Sequence, residues 1–197
     1  MKRGRRKRLG QHFLKNRHVL KKIIQRISPD KDELIIEIGA GRGVLTFPLA
    51  EKAGKVIAIE KDLSLIMFLQ KKKVSNVMII GKDVLKVDFD EMIKKEKNFK
   101  EVKIVGNLPY SISSPLLFKL FESKKLFSEC LFLLQKEVAE RICSHPGSKV
   151  YSPLTILFQV HFLTKLHFVV PPRCFSPPQS LFGPDFSQEK RVVSFSV

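Results

Sequence analysis

The sequence has 197 residues, of which 44% are apolar and 28% charged, so it is long enough to form one well-buried globular domain. Lys and Arg number 36 against 19 acidic residues, and the resulting net charge of +17 favours a polyanionic partner such as a nucleic acid. No apolar stretch approaches the roughly 20 residues of a membrane span, and three scattered cysteines exclude a disulfide framework and favour a reducing, cytoplasmic setting.

Basic residues are concentrated at the start of the chain. Residues 1–26 hold eleven Lys or Arg and no acid. We predict that residues 1–28 form a basic arm and a helix, the helix because apolar residues recur at helical spacing between 19 and 27. Such a run is also typical of a solvated, disordered tail or of a mitochondrial transit peptide. If the partner is a nucleic acid, the residues that we expect to contact its phosphates are Arg3, Arg5, Arg6, Lys7 and Arg8. The basic residues alone do not separate RNA from DNA or from an anionic membrane.

From residue 34 onward, short apolar strands alternate with helical stretches. This alternation predicts an α/β fold with a mostly parallel, doubly wound sheet and one domain over residues 29–178. Residues 179–197 are expected to form a separate tail, with a last edge strand at 191–197. Strands are predicted at 34–38, 56–59, 77–80, 102–105, 130–134 and 162–170. Helices are predicted at 49–53, 63–72, 89–95, 115–121, 137–143 and 154–160.

A glycine-rich turn follows the first strand of the domain. In open parallel sheets, ligands bind beyond the carboxyl ends of the strands. Gly39 and Gly41 open such a turn, where glycine lets a ligand approach the backbone closely. The dinucleotide fingerprint has its third glycine where Val44 stands, so the spacing favours S-adenosylmethionine over a nicotinamide cofactor. A tight turn that binds no ligand would also need glycines.

Two acids stand at the ends of the next two strands. Glu60 is expected to accept hydrogen bonds from the ribose hydroxyls of the cofactor. Asp83 is expected to accept a hydrogen bond from the amino group of its adenine. The alternative role for Asp83 is to cap a short turn, and the alternative for Glu60 is that of an exposed acid at a strand end. Together with the glycine turn, these acids predict a nucleoside-containing cofactor.

The loop from Asn107 to Tyr110 predicts the reaction. The exocyclic amine of a base is a poor nucleophile because its lone pair is delocalised into the ring. The Asn107 side-chain oxygen and the Leu108 carbonyl are placed to accept from that amine, drawing it towards tetrahedral geometry and directing its lone pair at a sulfonium methyl. Pro109 fixes the loop, and Tyr110 offers a face to the unstacked base. The alternative is a structural Asn-x-Pro turn with a packing tyrosine.

These segments together resemble the small-subunit ribosomal RNA adenine dimethyltransferases over residues 9–178. The resemblance implies a Rossmann-like fold that binds S-adenosylmethionine, and stacking of Phe175 on the target adenine opposite Tyr110. The matching segments are LGQHFL at 9–14, EIGAGRG at 37–43, GNLPYSISSPLL at 106–117, LQKEVAER at 134–141 and VPPRCFSP at 170–177. The cofactor contacts that it implies are His12, Leu14, Gly39, Glu60, Asp83 and Asn107.

The resemblance also implies a substrate and partners. These are two adjacent adenines near the 3′ end of small-subunit ribosomal RNA, each methylated twice, with a role in biogenesis of the subunit. We expect a cytoplasmic monomer that uses no metal and no membrane. From Gln179 the sequence departs from the family, which continues with Lys-Val-Asp-Ser, a last strand and a helical C-terminal domain. We expect that domain to be missing here, with a truncated, a frameshifted or a divergent end as the alternatives. The alternative hypothesis is therefore a weakly catalytic or non-catalytic RNA-binding factor of ribosome assembly.

Overall fold

The computed structural model describes residues 13–96, 98–176 and 189–196. The described strands are β1 (Phe13–Leu14), β2 (Glu33–Ile38), β3 (Lys55–Ile59), β4 (Val77–Ile80), β5 (Glu101–Asn107), β6 (Glu129–Gln135), β7 (Leu163–Val170), β8 (Phe175–Ser176) and β9 (Lys190–Ser196). The described helices are α1 (Arg17–Ile27), α2 (Thr46–Ala50), α3 (Leu63–Gln70), α4 (Phe89–Lys94), α5 (Tyr110–Glu122), α6 (Lys136–Ile142) and α7 (Pro153–His161). Within these ranges, no helix is long and apolar enough to cross a membrane.

The central sheet of the described residues has seven strands in the order β4-β3-β2-β5-β6-β9-β7. The five strands from β4 to β6 are parallel, and β9 runs antiparallel to both of its neighbours. The predicted fold class, a mostly parallel α/β sheet, is therefore confirmed. Parallel strands place their carboxyl ends at one edge of the sheet, and that edge is where the glycine turn and the two acids were expected to meet.

The prediction that residues 191–197 form an edge strand is wrong. Strand β9 lies inside the sheet, between β6 and β7, and forms backbone pairs with both. The physical reason is its apolar character, because Val192, Val193 and Phe195 are buried and need cover on both faces of the sheet. Strand β7 takes the edge instead, with Leu163 and Val169 exposed.

The start of α5 also differs from the prediction. We expected a helix over residues 115–121. The helix instead begins at Tyr110, with Pro109 as its N-cap and Pro115 inside it. Asn107 belongs to β5, so the predicted loop shrinks to Leu108 and Pro109 between a strand and a helix. The side chains expected to orient and stack the target base therefore lie on regular elements that hold them in place.

The helices cover both faces of the sheet. Successive residues of a strand point to opposite faces, so Ile35 packs in one hydrophobic cluster and Ile36 in another. The cluster around Ile35 also contains Ile23 of α1 and Val192 of β9. Residues that we had assigned to an N-terminal arm and a C-terminal tail therefore share one core with the sheet.

A second, two-stranded sheet lies at the edge where the carboxyl ends meet. In it β1 pairs antiparallel with β8, with Leu14 opposite Phe175. The Lys15 amide extends the contact by donating to the Cys174 carbonyl at 2.9 Å. This pairing was not predicted, because two-residue strands carry no periodicity. It fixes the segment after residue 12 and the segment around Phe175 to each other.

Candidate active site

A cleft opens beyond the carboxyl ends of β2, β3 and β5. Its wall contains every predicted cofactor residue within the described ranges, namely Leu14, Gly39, Gly41, Glu60, Asp83 and Asn107. His12 and the predicted phosphate contacts Arg3, Arg5, Arg6, Lys7 and Arg8 lie outside the described residues. Ile59, Val84 and Ile112 contribute apolar surface to the same wall. Residues far apart in the sequence therefore meet at one site.

The glycines of the turn have different structural roles. Gly39 has φ of 74°, and apart from Gly39 and its two chain neighbours no described residue has an atom within 4 Å of the position that a Cβ would take. Gly43 has φ of 75°, but a Cβ there would lie 2.3 Å from the Phe47 ring. Both positions favour glycine because of their left-handed backbone. Gly43 is needed for packing, whereas Gly39, a residue of the cleft wall, leaves room for a ligand close to the backbone.

The Glu60 carboxylate is held by the backbone. One oxygen accepts from the Gly41 amide at 2.9 Å, and the other accepts from the amides of Lys61 and Asp62 at 2.8 and 3.0 Å. The side chain is buried, yet it lies in the cleft wall. A carboxylate has about four acceptor positions, so about one of them is left for a ligand. Binding of two ribose hydroxyls would require Glu60 to share or release one backbone donor.

Asp83 caps a short turn and also lies in the cleft wall. Its side chain accepts from the Leu85 amide at 3.1 Å and so caps a 3-10 turn over Val84–Lys86. Its other oxygen lies 3.6 Å from Lys61 Nζ, and the residue lines the cleft. The capping alternative is therefore observed. The contact with an adenine amino group stays a prediction.

Glu37 is a cleft residue to which we had assigned no role. It is buried in β2, accepts a hydrogen bond from the Thr46 hydroxyl, and lines the cleft. Burial and, to a lesser degree, the nearby Glu60 charge raise the pKa of Glu37 to about 8, against the Thr46 hydrogen bond. The signal in the sequence was an acid within an apolar strand next to the glycine turn. At neutral pH this carboxyl is mostly protonated.

The two predicted amine acceptors converge on one nitrogen atom. Lys190 Nζ donates to Asn107 Oδ1 at 2.8 Å and to the Leu108 carbonyl at 2.6 Å. The Leu108 amide donates to the Leu133 carbonyl, and the Ser113 hydroxyl to the Pro109 carbonyl, and both bonds fix the short loop. The geometry therefore binds an amine where we had expected one. The amine belongs to Lys190, a residue that we had not singled out.

Lys190 is buried as the first residue of β9. It pairs with Gln135 of β6 and with Val170 of β7. Burial lowers the pKa of the Lys190 amine to about 7, because the charged form loses its hydration. A lone lysine before an apolar strand gave no signal in the sequence, since only the placement of β9 inside the sheet brings it to Asn107.

The two aromatic residues differ in accessibility. Tyr110 is 75% exposed at the first position of α5, whereas Phe175 is fully buried in the core. Lys190 Nζ lies 5.9 Å from the centroid of the Phe175 ring. The Phe175 face on which we expected the target adenine to stack is thus next to the lysine amine. The described residues therefore form no open slot between the Tyr110 and Phe175 rings into which a base could insert.

The cleft suits an adenosyl cofactor with a positively charged methyl-bearing sulfur. It combines a glycine turn next to open space, acceptors after successive strands, and apolar side chains for the base. Within the described ranges, no group of three or more His, Cys, Asp or Glu side chains is placed to hold a metal ion. The chemistry that the described residues support is orientation of an amine.

Comparison with known proteins identifies similar sequences and structures. A family model described as ribosomal RNA adenine dimethylase matches residues 2–181. The chain is 43% identical over 173 residues to a ribosomal RNA small subunit methyltransferase A of Syntrophus aciditrophicus, covering 87% of this chain and 61% of that protein. Its counterpart in Lachnoclostridium phytofermentans is 42% identical over 174 residues, covering 87% of this chain and 60% of that protein.

A similar fold occurs in a crystal structure of a dimethyladenosine transferase from Plasmodium falciparum. The two structures superpose with a TM-score of 0.80 and 31% sequence identity, over 94% of this chain and 63% of that one. The chain thus spans less than two thirds of the length of each of these three relatives.

Proposed function

The chain belongs to the ribosomal RNA adenine dimethylase family, and on this premise we propose that it methylates the exocyclic amines of two adjacent adenines in small-subunit ribosomal RNA. The methyl donor in this proposal is S-adenosylmethionine. The single observation that carries the proposal is the convergence of Asn107 Oδ1 and the Leu108 carbonyl on one amine nitrogen. The protein does not need a side chain that acts as a strong base, because the positioning of the amine and the methyl donor provides most of the rate enhancement.

Residues of the cleft wall hold the cofactor in this proposal. Glu60 accepts from the ribose, Asp83 accepts from the adenine amino group, and Gly39 and Gly41 leave room next to the backbone. When bound, the cofactor supplies a methyl group that the sulfonium charge makes electrophilic. Leu14 and Asn107 line the same cleft and complete the contacts. His12 is proposed as a further contact from the resemblance alone.

Orientation of the amine is the task of the short loop. Two carbonyl oxygens that accept both N–H groups of an adenine amine disfavour the planar, delocalised nitrogen. The lone pair then lies on the side away from Asn107 and Leu108. Leu108 is buried and Pro109 is held by Ser113, so these acceptors need little reorganisation during the reaction. Tyr110 and Phe175 are proposed to stack on the extruded base, for which Lys190 must leave the Phe175 face.

The partner in this proposal is the small ribosomal subunit. The protein binds it as a monomer, in the cytoplasm. The net charge of +17 supports a polyanionic partner. Arg3, Arg5, Arg6, Lys7 and Arg8 are proposed as phosphate contacts. The methyltransferase domain is proposed to comprise residues 29–178 together with α1 and β9, which share its core. Neither a metal nor a membrane takes part.

A second candidate function is RNA binding without efficient catalysis, as a factor of subunit assembly. The observation that favours it is that Lys190 holds the two acceptors that the target amine needs. In that case Asn107→Ala would preserve the whole biological effect of the protein. Loss of that effect in Asn107→Ala, with RNA binding retained, would favour the enzyme.

Transfer of tritiated methyl groups from S-adenosylmethionine to small subunits that lack the modification tests the proposal. The wild type and Asn98→Ala, a control at an exposed asparagine, are expected to label the RNA. Asn107→Ala is expected to label it at least about a hundredfold more slowly, because it loses an oriented acceptor. A wild-type protein that binds S-adenosylhomocysteine in calorimetry but labels no RNA would reject the enzymatic proposal.

A further inference from the structure

We propose that Lys190 is itself a methyl acceptor, so that the protein carries a self-modification site within its own target-amine pocket. This inference rests on the proposed function, since it uses the same donor and the same acceptor oxygens. It adds a second substrate class to the site: a primary aliphatic amine presented by the protein's own chain.

The contacts of Lys190 reproduce those proposed for the target adenine. Its Nζ donates to Asn107 Oδ1 at 2.8 Å and to the Leu108 carbonyl at 2.6 Å. The same nitrogen lies 5.9 Å from the centroid of the Phe175 ring, the ring proposed to stack on the base. Lys190 also lines the cleft that contains Gly39, Glu60 and Asp83. One amine therefore meets the three groups that would recognise the substrate, beside the proposed donor site.

The side chain is held in this position by the sheet. Lys190 opens β9, which is paired on both sides, with β6 and with β7. A backbone fixed on both sides leaves only the side-chain torsions to place the amine. Those torsions are restricted by burial, since Lys190 is 4% exposed. A side chain with few accessible torsions spends more of its time with the amine placed for attack on the methyl group.

Other lysines of the cleft lack these features. Lys61 and Lys82 also line it, but both are exposed. Lys61 Nζ lies 3.6 Å from an Asp83 oxygen and so faces that carboxylate. Lys190, by contrast, donates to both acceptor oxygens, Asn107 Oδ1 and the Leu108 carbonyl. Selectivity for Lys190 is therefore expected.

The chemical state of Lys190 is suitable for attack. A protonated amine has no lone pair, and an ordinary lysine is almost entirely protonated at neutral pH. Burial lowers the pKa of Lys190 to about 7, so a large fraction is neutral near that pH. The two carbonyl acceptors then hold its two N–H bonds. In contrast to an adenine amine, this nitrogen is already tetrahedral and needs no distortion.

The atoms and electrons balance in the transfer. The Lys190 lone pair forms the N–C bond to the methyl carbon while the C–S bond breaks and its electron pair stays on sulfur. The sulfonium becomes the neutral thioether of S-adenosylhomocysteine, and the methylammonium of Lys190 releases one proton to water. Each methyl group replaces one N–H donor. Successive methylation therefore weakens the hold of Asn107 and Leu108 on Lys190 and frees both acceptors for RNA.

Intact-protein mass spectrometry after incubation with S-adenosylmethionine, without RNA, tests the proposal. We expect a gain of one or more methyl groups, located by peptide sequencing on Lys190. Lys190→Arg should lose this gain, and Lys165→Arg, a control at an exposed lysine of β7, should keep it. Asn107→Ala should slow the gain at least about tenfold, because one of two orienting acceptors is lost.

A second readout does not depend on turnover. In protein labelled with [13C]lysine, addition of S-adenosylhomocysteine is expected to shift the NMR resonance of Lys190 Cε and to leave that of Lys165 in place. A resonance of Lys190 that does not respond, in a protein that binds S-adenosylhomocysteine by calorimetry, would overturn the proposed neighbourhood of amine and donor.

The outcomes separate this inference from the proposed function. RNA methylation by a preparation in which Lys190 gains no methyl group overturns the inference and leaves the proposed function intact. A methylated Lys190 with no RNA methylation supports the inference and rejects the RNA substrate. Absence of both reactions in a protein that binds S-adenosylhomocysteine rejects both.

Discussion

The Gly41 amide donates a hydrogen bond of 2.9 Å to the Glu60 carboxylate, and this bond joins the glycine turn after β2 to the acid that follows β3. Both residues line the cleft. The turn and the acid therefore form one unit, in which a backbone donor positions the side chain proposed to bind ribose. A change in either residue is expected to affect both the stability of the turn and the binding of the cofactor.

Replacement of Glu60 by Gln tests this unit. An amide has one acceptor oxygen, so its NH2 group must face at least one of the backbone donors from Gly41, Lys61 and Asp62. We expect a loss of about 1–3 kcal/mol in the free energy of unfolding, measured by urea denaturation. Calorimetry should show at least about tenfold weaker binding of S-adenosylhomocysteine, since a charge-assisted bond is lost. Glu51→Gln, at an exposed position, is the control. Equal stability and affinity in Glu60→Gln and Glu51→Gln would contradict the assignment.

Alanine at two glycines should separate binding from folding. Gly39→Ala incurs a backbone cost of about 1–2 kcal/mol from its positive φ, and it places a methyl group in the open space of the cleft wall. Gly43→Ala also meets the Phe47 ring at 2.3 Å, a position that requires repacking. Thermal unfolding should therefore show the larger loss for Gly43→Ala, while Gly39→Ala should lose S-adenosylhomocysteine binding although it folds. Normal binding by a folded Gly39→Ala protein would exclude this cleft as the donor site.

Replacement of Lys190 by Met should stabilise the protein in a pH-dependent way. Burial lowers the pKa of Lys190 from 10.5 to about 7, so between these values the unfolded chain holds a proton that the folded chain lacks. Stability of the wild type therefore rises with pH through this window, and the cost of burying the charge is complete below pH 7. The gain in the free energy of unfolding from Lys190→Met should be largest at pH 6 and should vanish by about pH 10.5. Its full size should be about 1.4 kcal/mol for each unit by which burial lowers the pKa of Lys190. Urea denaturation across this range measures it, with Lys165→Met as control. An advantage that does not vary with pH would contradict the buried amine.

The opposite pH dependence is expected for Glu37. Burial raises its pKa from 4.5 to about 8, so between these values the folded chain holds a proton that the unfolded chain has lost. Glu37 therefore makes the free energy of unfolding fall as pH rises from 4.5 to 8. Above pH 8 the full cost of burying the ionised carboxylate is present. Glu37→Gln should therefore match the wild type near pH 4.5 and exceed it above pH 8 in urea denaturation. Glu51→Gln should show no such trend, and a trend of equal size there would reject the assignment to Glu37.

Much of the fold followed from local patterns. The apolar runs at 34–38 and 77–80 became strands β2 and β4 because β-branched residues flanked by turns leave few alternatives. The position of the site also followed, since parallel strands bring Gly39, Glu60 and Asp83 to one edge of the sheet. These inferences needed only the order of elements along the chain.

Features that depend on contacts between distant segments were missed. Insertion of β9 between β6 and β7 requires β9 to pair with β6 across more than fifty residues of chain. This insertion alone brings Lys190 to Asn107. The burial that raises the pKa of Glu37 likewise results from packing. The start of α5 was misjudged at Pro115 because a proline inside a helix contradicts local propensity and is tolerated here by tertiary contacts.

Nucleoside mass spectrometry of the RNA product tests whether the protein dimethylates adenine. Small-subunit ribosomal RNA from cells without the modification is incubated with the protein and S-adenosylmethionine, digested to nucleosides and analysed. We expect dimethylation of the exocyclic amine at two adjacent adenines by the wild type, and at least about a hundredfold less product with Asn107→Ala. Unmodified adenines after incubation with a wild-type protein that binds S-adenosylhomocysteine, or equal product with Asn107→Ala, would contradict it.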